Sequence, residues 1–149
     1  MKERPSDLGL PVLCADWQQL ESLVTVPGRF RVTLSRLWPS ALTVVLPSTA
    51  GFAAALGSTL AVRIPAHAPL RSLLYRVGPL TGTSANRHGD PPFSTADGAI
   101  DSLTEVPDLV LDGGPTPGGE PSTVVDLTGE NPAILRPGAG AWEDPIPDL

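Results

Sequence analysis

The stretch ALTVVLPSTAGFAAALGSTLAVRIP (residues 41–65) decides the fold class of this 149-residue chain. Its first part, ALTVVLP, is apolar and rich in β-branched residues, which is typical of a buried strand. Its last part, TLAVRIP, has the same character, and FAAAL between the two predicts a short helix. A strand, a helix and a strand in succession favour a sheet with helices packed against it.

The flanking segments first continue this alternation and then leave it. Upstream, LPVLC predicts a strand, Asp16 caps the helix WQQLESLV with Gln19 completing a capping box, and a second helix runs to Leu37 before Pro39. Downstream, PLRSLLYRVG predicts a helix whose core-facing residues are Leu70, Leu73, Leu74 and Val77, and TADGAIDSL predicts another. The remaining predicted strands are GPLTGTS, DLVLD (residues 108–112), STVVDLT and AILR. This order predicts an α/β protein with a twisted mixed open sheet and flanking helices.

Composition and length predict one domain, because 41% of the residues are hydrophobic and 149 residues can bury a single core. We assign residues 1–140 to that domain and residues 141–149, AWEDPIPDL, to a loose tail. No apolar run reaches the length of about 18 residues that a membrane helix needs, and no export signal is recognised. The cytoplasm is therefore the expected location. Cys14 is the only cysteine, and with two histidines no metal-ligand cluster is expected.

Charge divides the chain into two unequal halves. Residues 1–89 carry nine basic and four acidic residues, a balance of +5, whereas residues 90–149 carry one basic and twelve acidic residues, a balance of −11. The acidic half argues against a broad nucleic-acid-binding face, while the basic half can supply a local pocket for phosphates or carboxylates. Arg136 is the only cation of the acidic half, and Lys2 is the only lysine of the chain.

The sequence excludes one familiar kind of site and disfavours another. A P-loop requires a lysine after its glycines, and the only lysine is Lys2. GTSAN (residues 82–86) begins like the nucleophile elbow of a serine hydrolase, but Asn86 occupies the position of the final glycine. The remaining interpretation of this segment is a ligand-binding site. In an extended TSAN segment, Ser84 and Asn86 point to one side, where their O–H and N–H groups can donate to phosphate oxygens.

Seven motifs in order resemble the YrdC-like family of threonylcarbamoyl-AMP synthases. They are KERP, LWPSALTVVLP, LAVRIP, LTGTSAN with HGDPP, VLDGG, STVVDL and ILRPGA. The similarity covers nearly the whole chain. It implies the family's α/β fold with a concave, basic site, and the formation of threonylcarbamoyl-AMP and pyrophosphate from L-threonine, bicarbonate and ATP. That product is the donor for threonylcarbamoyl modification of a tRNA adenosine, which makes ATP with Mg²⁺ a substrate and leaves no tightly bound cofactor.

The resemblance also implies roles for individual residues. The family's K-x-R and S-x-N signatures fall on Lys2 and Arg4 and on Ser84 and Asn86, which become the catalytic residues and, Asn86 excepted, also contacts of ATP. Thr59 and Arg136 are further expected ATP contacts. The expected threonine contacts are Arg63, Gly82 and Ser122. Because threonine, carbamate and triphosphate are all anionic, converging cations are needed to offset their repulsion.

Several alternatives remain open at this point. Arg63 and Arg136 could instead form ion pairs with acidic neighbours, and the chain could be a noncatalytic module that binds nucleotide or double-stranded RNA. The expected partners are tRNA or double-stranded RNA and the tRNA threonylcarbamoyltransferase proteins, with no membrane involved. The family's strand and helix with a P-T-[DE]-T-x-Y-G-L motif are missing before Lys2. An upstream start, a partner that supplies the segment and a shortened paralogue are the three explanations.

Overall fold

The computed structural model describes residues 9–49, 57–86 and 91–143. The described chain forms two compact units, one made of residues 9–49, 57–82 and 120–143, and one made of residues 83–86 and 91–119. The sequence predictions that lie outside the described residues are Lys2 and Arg4, the FAAAL helix and residues 144–149 of the proposed tail. The first unit contains the sheet.

The sheet has six strands in the order β4-β1-β3-β2-β5-β6. Their bounds are β1 Val12–Leu13, β2 Leu42–Pro47, β3 Thr59–Arg63, β4 Leu80–Thr81, β5 Thr123–Asp126 and β6 Ala133–Arg136. β3 is parallel to β1 and antiparallel to β2, β2 is parallel to β5, and the outer strands β4 and β6 are antiparallel to their neighbours. The prediction of a mixed open sheet with flanking helices is confirmed.

Three helices belong to the same unit: α1 (Trp17–Glu21), α2 (Gly28–Leu37) and α3 (Ala68–Val77). Asp16 caps α1 as predicted, because its Oδ1 accepts a hydrogen bond of 2.9 Å from the backbone N–H of Gln19. Gln19 Oε1 accepts in return from the N–H of Ala15 at 2.8 Å, one residue before the position that a capping box uses. The first helix is shorter than predicted, since Val24 forms an isolated β-bridge with Ser48.

The core lies between one face of the sheet and helices α1 and α2. Leu20 of α1 and Phe30 and Leu34 of α2 pack with the inward residues of the central strands, all of them at most 1% exposed. The inward strand residues are Leu42, Val44, Leu46, Leu60, Val62 and Val125. Cys14 belongs to this cluster, and its burial, with a smaller effect of Asp16, raises the pKa of the thiol to about 12. The thiol therefore stays protonated at neutral pH.

Two sequence predictions about these elements are wrong. Of the residues expected to face the core from α3, only Leu74 is fully buried, and Val77 is 55% exposed. The predicted strand DLVLD is irregular, with Leu109 and Leu111 about 70% exposed (74% and 69%). A strand needs a ladder partner, and the described part of this second unit has α4 (Ala96–Ser102, capped by Thr95) as its only regular element.

Trp142, near the start of the proposed tail, packs on the core cluster, with its ring centroid 6.4 Å from that of Phe30. The tail remains a prediction for residues 144–149, which lie outside the described residues.

Within the described ranges, no helix has both the length and the apolar character needed to cross a bilayer.

Candidate functional site

The sheet face turned away from the core cluster carries the polar residues of the first unit, and we call it the outer face. Thr43 pairs with Val124 and Val124 with Arg136, while the antiparallel register that pairs Val44 with Val62 sets Thr43 beside Arg63. Residues opposite one another on adjacent strands point to the same face. Arg63 and Arg136 thus stand at the two ends of a row that crosses four strands. Their Cα atoms are about 14 Å apart at a spacing of about 4.8 Å per strand.

Arg63 is a half-buried cation at the end of β3. Its Nε donates a hydrogen bond of 3.0 Å to the carbonyl oxygen of Ser40, and burial lowers the pKa of its guanidinium. Within the described ranges the one ion pair is that of Arg31 with Glu21, so Arg63 has no carboxylate partner there. Its Nη1 and Nη2 groups are thus available to bind an anion, because a guanidinium remains charged and presents paired donors.

Ser40 fixes the position of Arg63 and carries an unusual hydroxyl. Its backbone N–H donates to the carbonyl of Ile64 at 3.0 Å, while its own carbonyl accepts from Arg63. The hydroxyl oxygen is shielded from solvent and has no hydrogen-bond partner in the described part of the chain. Such a group costs stability, because it gives up its hydrogen bonds to water without replacement.

Replacing Ser40 with alanine is therefore expected to raise the free energy of unfolding by about 1 kcal/mol. The change removes one unpaired hydroxyl and leaves both backbone hydrogen bonds of residue 40 in place. Thermal unfolding measures it, with an expected rise in Tm of about 2–4 °C. Ser35→Ala is the control, since the Ser35 hydroxyl is exposed and donates to Val32 within α2. A lower Tm for Ser40→Ala would show that this hydroxyl has a partner that stabilises the fold.

Ser122 and Arg136 are joined directly on the outer face. Arg136 donates from Nε and Nη2 to the carbonyl oxygen of Ser122, at 3.0 and 2.7 Å, and from Nη2 to its hydroxyl oxygen at 3.0 Å. Arg136 is exposed and, like Arg63, forms no ion pair with any described carboxylate. The expected threonine contact and the expected ATP contact are consequently neighbours.

Thr59 and Gly82 share this face. Thr59 begins β3 four residues before Arg63, about 13 Å away at a rise of about 3.3 Å per residue. Gly82 follows β4 and donates from its N–H to the carbonyl of Pro11 at 2.8 Å. A Cβ on Gly82 would lie 2.8 Å from Cδ1 of Leu13, so a residue without a side chain fits this position best. The five sheet-borne residues predicted for the site therefore lie on one face.

The other predicted residues are placed differently. Ser84 and Asn86 belong to the second unit, and since β4 ends at Thr81 they do not continue a strand as predicted. Ser84 is exposed and Asn86 is 8% exposed. Lys2 and Arg4 lie outside the described residues. Their catalytic roles stay predictions.

Two glycines after Arg136 were missed as determinants of the site. A Cβ on Gly138 would lie 2.8 Å from the carbonyl oxygen of Ser122, and a Cβ on Gly140 would lie 2.6 Å from the carbonyl carbon of Ala41. Both glycines therefore allow the chain after β6 to pass against the starts of β5 and β2. The two glycines of GAG are visible in the sequence AILRPGAG. The reason for them is contact with segments remote in sequence, which the local sequence does not show.

Known proteins resemble this chain over most of its length. The family model described as "Telomere recombination", Sua5/YciO/YrdC, matches residues 1–138. A protein of Mycobacterium tuberculosis is 37% identical over 146 residues, which cover 95% of this chain and 67% of that protein. The threonylcarbamoyl-AMP synthase of Bacillus subtilis is 36% identical over 148 residues, which cover 92% of this chain and 41% of the synthase.

A solved structure gives the same result for the fold. The crystal structure of Pyrococcus abyssi Sua5 complexed with L-threonine superposes with a TM-score of 0.78 at 34% identity, covering 91% of this chain and 41% of that protein. The chain thus spans about two thirds of its mycobacterial relative and less than half of the Bacillus and Pyrococcus proteins. With its six-stranded mixed sheet and matching motifs, the chain belongs to the Sua5/YciO/YrdC family.

Proposed function

We propose that this protein is a threonylcarbamoyl-AMP synthase, which forms threonylcarbamoyl-AMP and pyrophosphate from L-threonine, bicarbonate and ATP. The observation that carries the proposal is the pair Arg63 and Arg136 on the outer face, neither paired with a described carboxylate. Two cations on one face of the sheet can bind the anionic groups of two different ligands. The match to named synthases supplies the reaction.

The roles of the residues follow from their chemistry. Arg63, with Gly82 and Ser122 beside it on the face, would bind the carboxylate end of threonine, and Arg136 and Thr59 would bind the nucleotide. The carbamate formed from the threonine amine and bicarbonate would then attack the α-phosphorus of ATP through an oxygen, and pyrophosphate would leave. No protein nucleophile is needed, because positioning and stabilisation of negative charge supply the rate. Lys2, Arg4, Ser84 and Asn86 are proposed to contact the reacting phosphates and carbamate.

Magnesium would enter with ATP and offset the charge on the departing pyrophosphate. The described residues contain no group of three or more His, Cys, Asp or Glu side chains placed to hold a metal ion. Magnesium bound to a nucleotide usually keeps several waters and is held by phosphate oxygens with one or two carboxylates.

The cellular role proposed here is the supply of the activated donor for tRNA modification. Its consumers would be tRNA and the tRNA threonylcarbamoyltransferase proteins, and the cytoplasm would be the site of the reaction. A noncatalytic module that binds nucleotide or double-stranded RNA remains the competing function. It differs from the enzyme in one respect that can be measured, because such a module would bind its nucleotide or RNA without threonine.

Pyrophosphate release by the purified chain tests the proposal. The assay contains ATP, magnesium, L-threonine and bicarbonate, and each component is omitted in turn. We expect release only from the complete mixture, and we expect Arg136→Ala to raise the KM for ATP about tenfold, the effect of losing one charged hydrogen-bonding group. Arg76→Ala is the matched control, because Arg76 lies in the last turn of α3 and is absent from the outer face.

Two outcomes would contradict the proposal. Pyrophosphate release that does not depend on threonine would indicate hydrolysis of ATP to AMP and pyrophosphate, without formation of threonylcarbamoyl-AMP. Absence of release from a folded sample that binds an ATP analogue or double-stranded RNA would favour the noncatalytic module. In that case RNA affinity should fall steeply with rising salt, because phosphate contacts release counterions.

A further inference from the structure

Thr43 is the one polar side chain within an otherwise apolar strand, β2. It is 2% exposed, so no substrate in solution can reach it directly. A buried hydroxyl requires a hydrogen-bond partner. The Thr43 Oγ1 lies 3.0 Å from the Oγ of Ser122, a residue 79 positions away that the parallel pairing of β2 with β5 brings alongside.

The Ser122 hydroxyl has a second neighbour, which limits how its proton can be used. Arg136 Nη2 lies 3.0 Å from the same oxygen, and a guanidinium can only donate. A hydroxyl offers one donor and two acceptor positions. When Thr43 also donates, both acceptor positions of Ser122 are filled and its proton must point to a third group.

The opposite orientation is less favourable. If Ser122 donated to Thr43, the Thr43 proton would need another acceptor, and Thr43 has no other hydrogen-bond partner among the residues that the structure describes. That orientation would leave a buried proton unpaired at a cost. Thr43 is therefore the donor of this pair, and Ser122 is held as a donor.

Ser122 is half-buried and lies on the outer face, so its remaining proton is available to a ligand there. A hydroxyl held as a donor binds a carboxylate or carbonyl oxygen and disfavours an N–H group in the same place. We propose that Thr43 is a positioning residue that fixes Ser122 as a hydrogen-bond donor to the carboxylate of the amino-acid substrate. This inference rests on the proposed function.

The test compares three variants by calorimetric titration of the full chain with L-threonine. Thr43→Val keeps the size and β-branching of the side chain but removes the hydroxyl, and it is expected to raise the Kd about tenfold. Thr43→Ser retains the hydroxyl and should restore the affinity to within about threefold. Thr33→Val makes the same change as Thr43→Val on helix α2 and should leave the Kd unchanged.

A second ligand provides a readout that a purely structural role would not change. L-threoninamide replaces one carboxylate oxygen by an N–H donor, and a Ser122 hydroxyl held as a donor should discriminate against it. In Thr43→Val the hydroxyl can rotate and accept, so the ratio of the two dissociation constants should fall about threefold or more. The ratio is independent of the fraction of protein that is folded.

A double-mutant cycle with Ser122→Ala completes the design. If Thr43 acts through Ser122, adding Thr43→Val to Ser122→Ala should change the threonine Kd by less than about twofold. A full tenfold loss in that background would overturn the inference, as would an unchanged Kd and ratio in Thr43→Val. If the unsubstituted chain binds no threonine, the inference falls together with the proposed function, whereas binding that ignores Thr43 refutes the inference alone.

Discussion

Replacing Arg63 with alanine is expected to lower kcat/KM for L-threonine about 100-fold in the pyrophosphate assay. Arg63 is the half-buried cation of the outer face, and its Nη groups have no partner among the described residues. Losing a charged group that binds a carboxylate costs about 1.5–3 kcal/mol, and each 1.4 kcal/mol is a factor of ten. The loss should appear mainly in the KM for threonine, with the KM for ATP changed about threefold at most.

Two further variants separate charge from geometry in this experiment. Arg63→Lys keeps the positive charge but cannot bind a carboxylate through paired N–H groups, so we expect it to recover only part of the activity. Arg36→Ala, in the last turn of α2, is the control for removing an exposed arginine. Equal activity of the Arg63→Ala variant and the unsubstituted chain, both folded, would remove Arg63 from the site.

Replacing Gly140 with alanine is expected to destabilise the fold by about 3 kcal/mol, near the upper end of the cost of overpacking a well-packed site. The added Cβ would lie 2.6 Å from the carbonyl carbon of Ala41 and 2.8 Å from the backbone nitrogen of Leu42. These are main-chain atoms of the start of β2, which cannot move aside as a flexible side chain can. The Gly140 carbonyl also accepts from Thr123 Oγ1 at 2.5 Å, so a shift would strain this contact too.

Thermal unfolding measures this effect as a fall in Tm of roughly 10 °C for a chain of this size. Gly28→Ala is a matched control with the opposite expected sign. A Cβ on Gly28 would meet nothing within 4 Å, and the residue lies at the start of α2, where alanine is favoured over glycine. A Tm for Gly140→Ala equal to that of the Gly28→Ala variant would show that the chain after β6 shifts easily enough to accommodate the added Cβ.

Local pattern was sufficient to locate β2, β3, β5 and β6, which lie within predicted strands. β-branched residues cluster in β2 and β5, and Asp16 caps α1 as its position before Trp17 suggested. DLVLD has the same local character and forms no strand, because a strand also needs a partner to pair with. Partner and register depend on contacts remote in sequence, which a local pattern does not contain.

The site shows the same division. The resemblance predicts Arg63, Ser122 and Arg136 as site residues, and the register of four strands places them on one face. Thr43 was interpreted as part of an apolar strand, because the contact of its hydroxyl with Ser122 depends on a parallel pairing with a segment 79 residues away. The contact of Thr43 with Ser122 can therefore be inferred only once the order of the strands in the sheet is known.

The position of β6 gives the two sides of the outer face different dynamics. Arg63 stands on β3, which is hydrogen-bonded to strands on both sides, whereas Arg136 stands on an edge strand of four exposed residues that pairs, among the described strands, with β5 alone. Edge strands with few buried contacts open more often than central ones, and their amide hydrogens exchange sooner. The side proposed to bind threonine is thus rigid before any ligand binds, while the side proposed to bind the nucleotide can open locally.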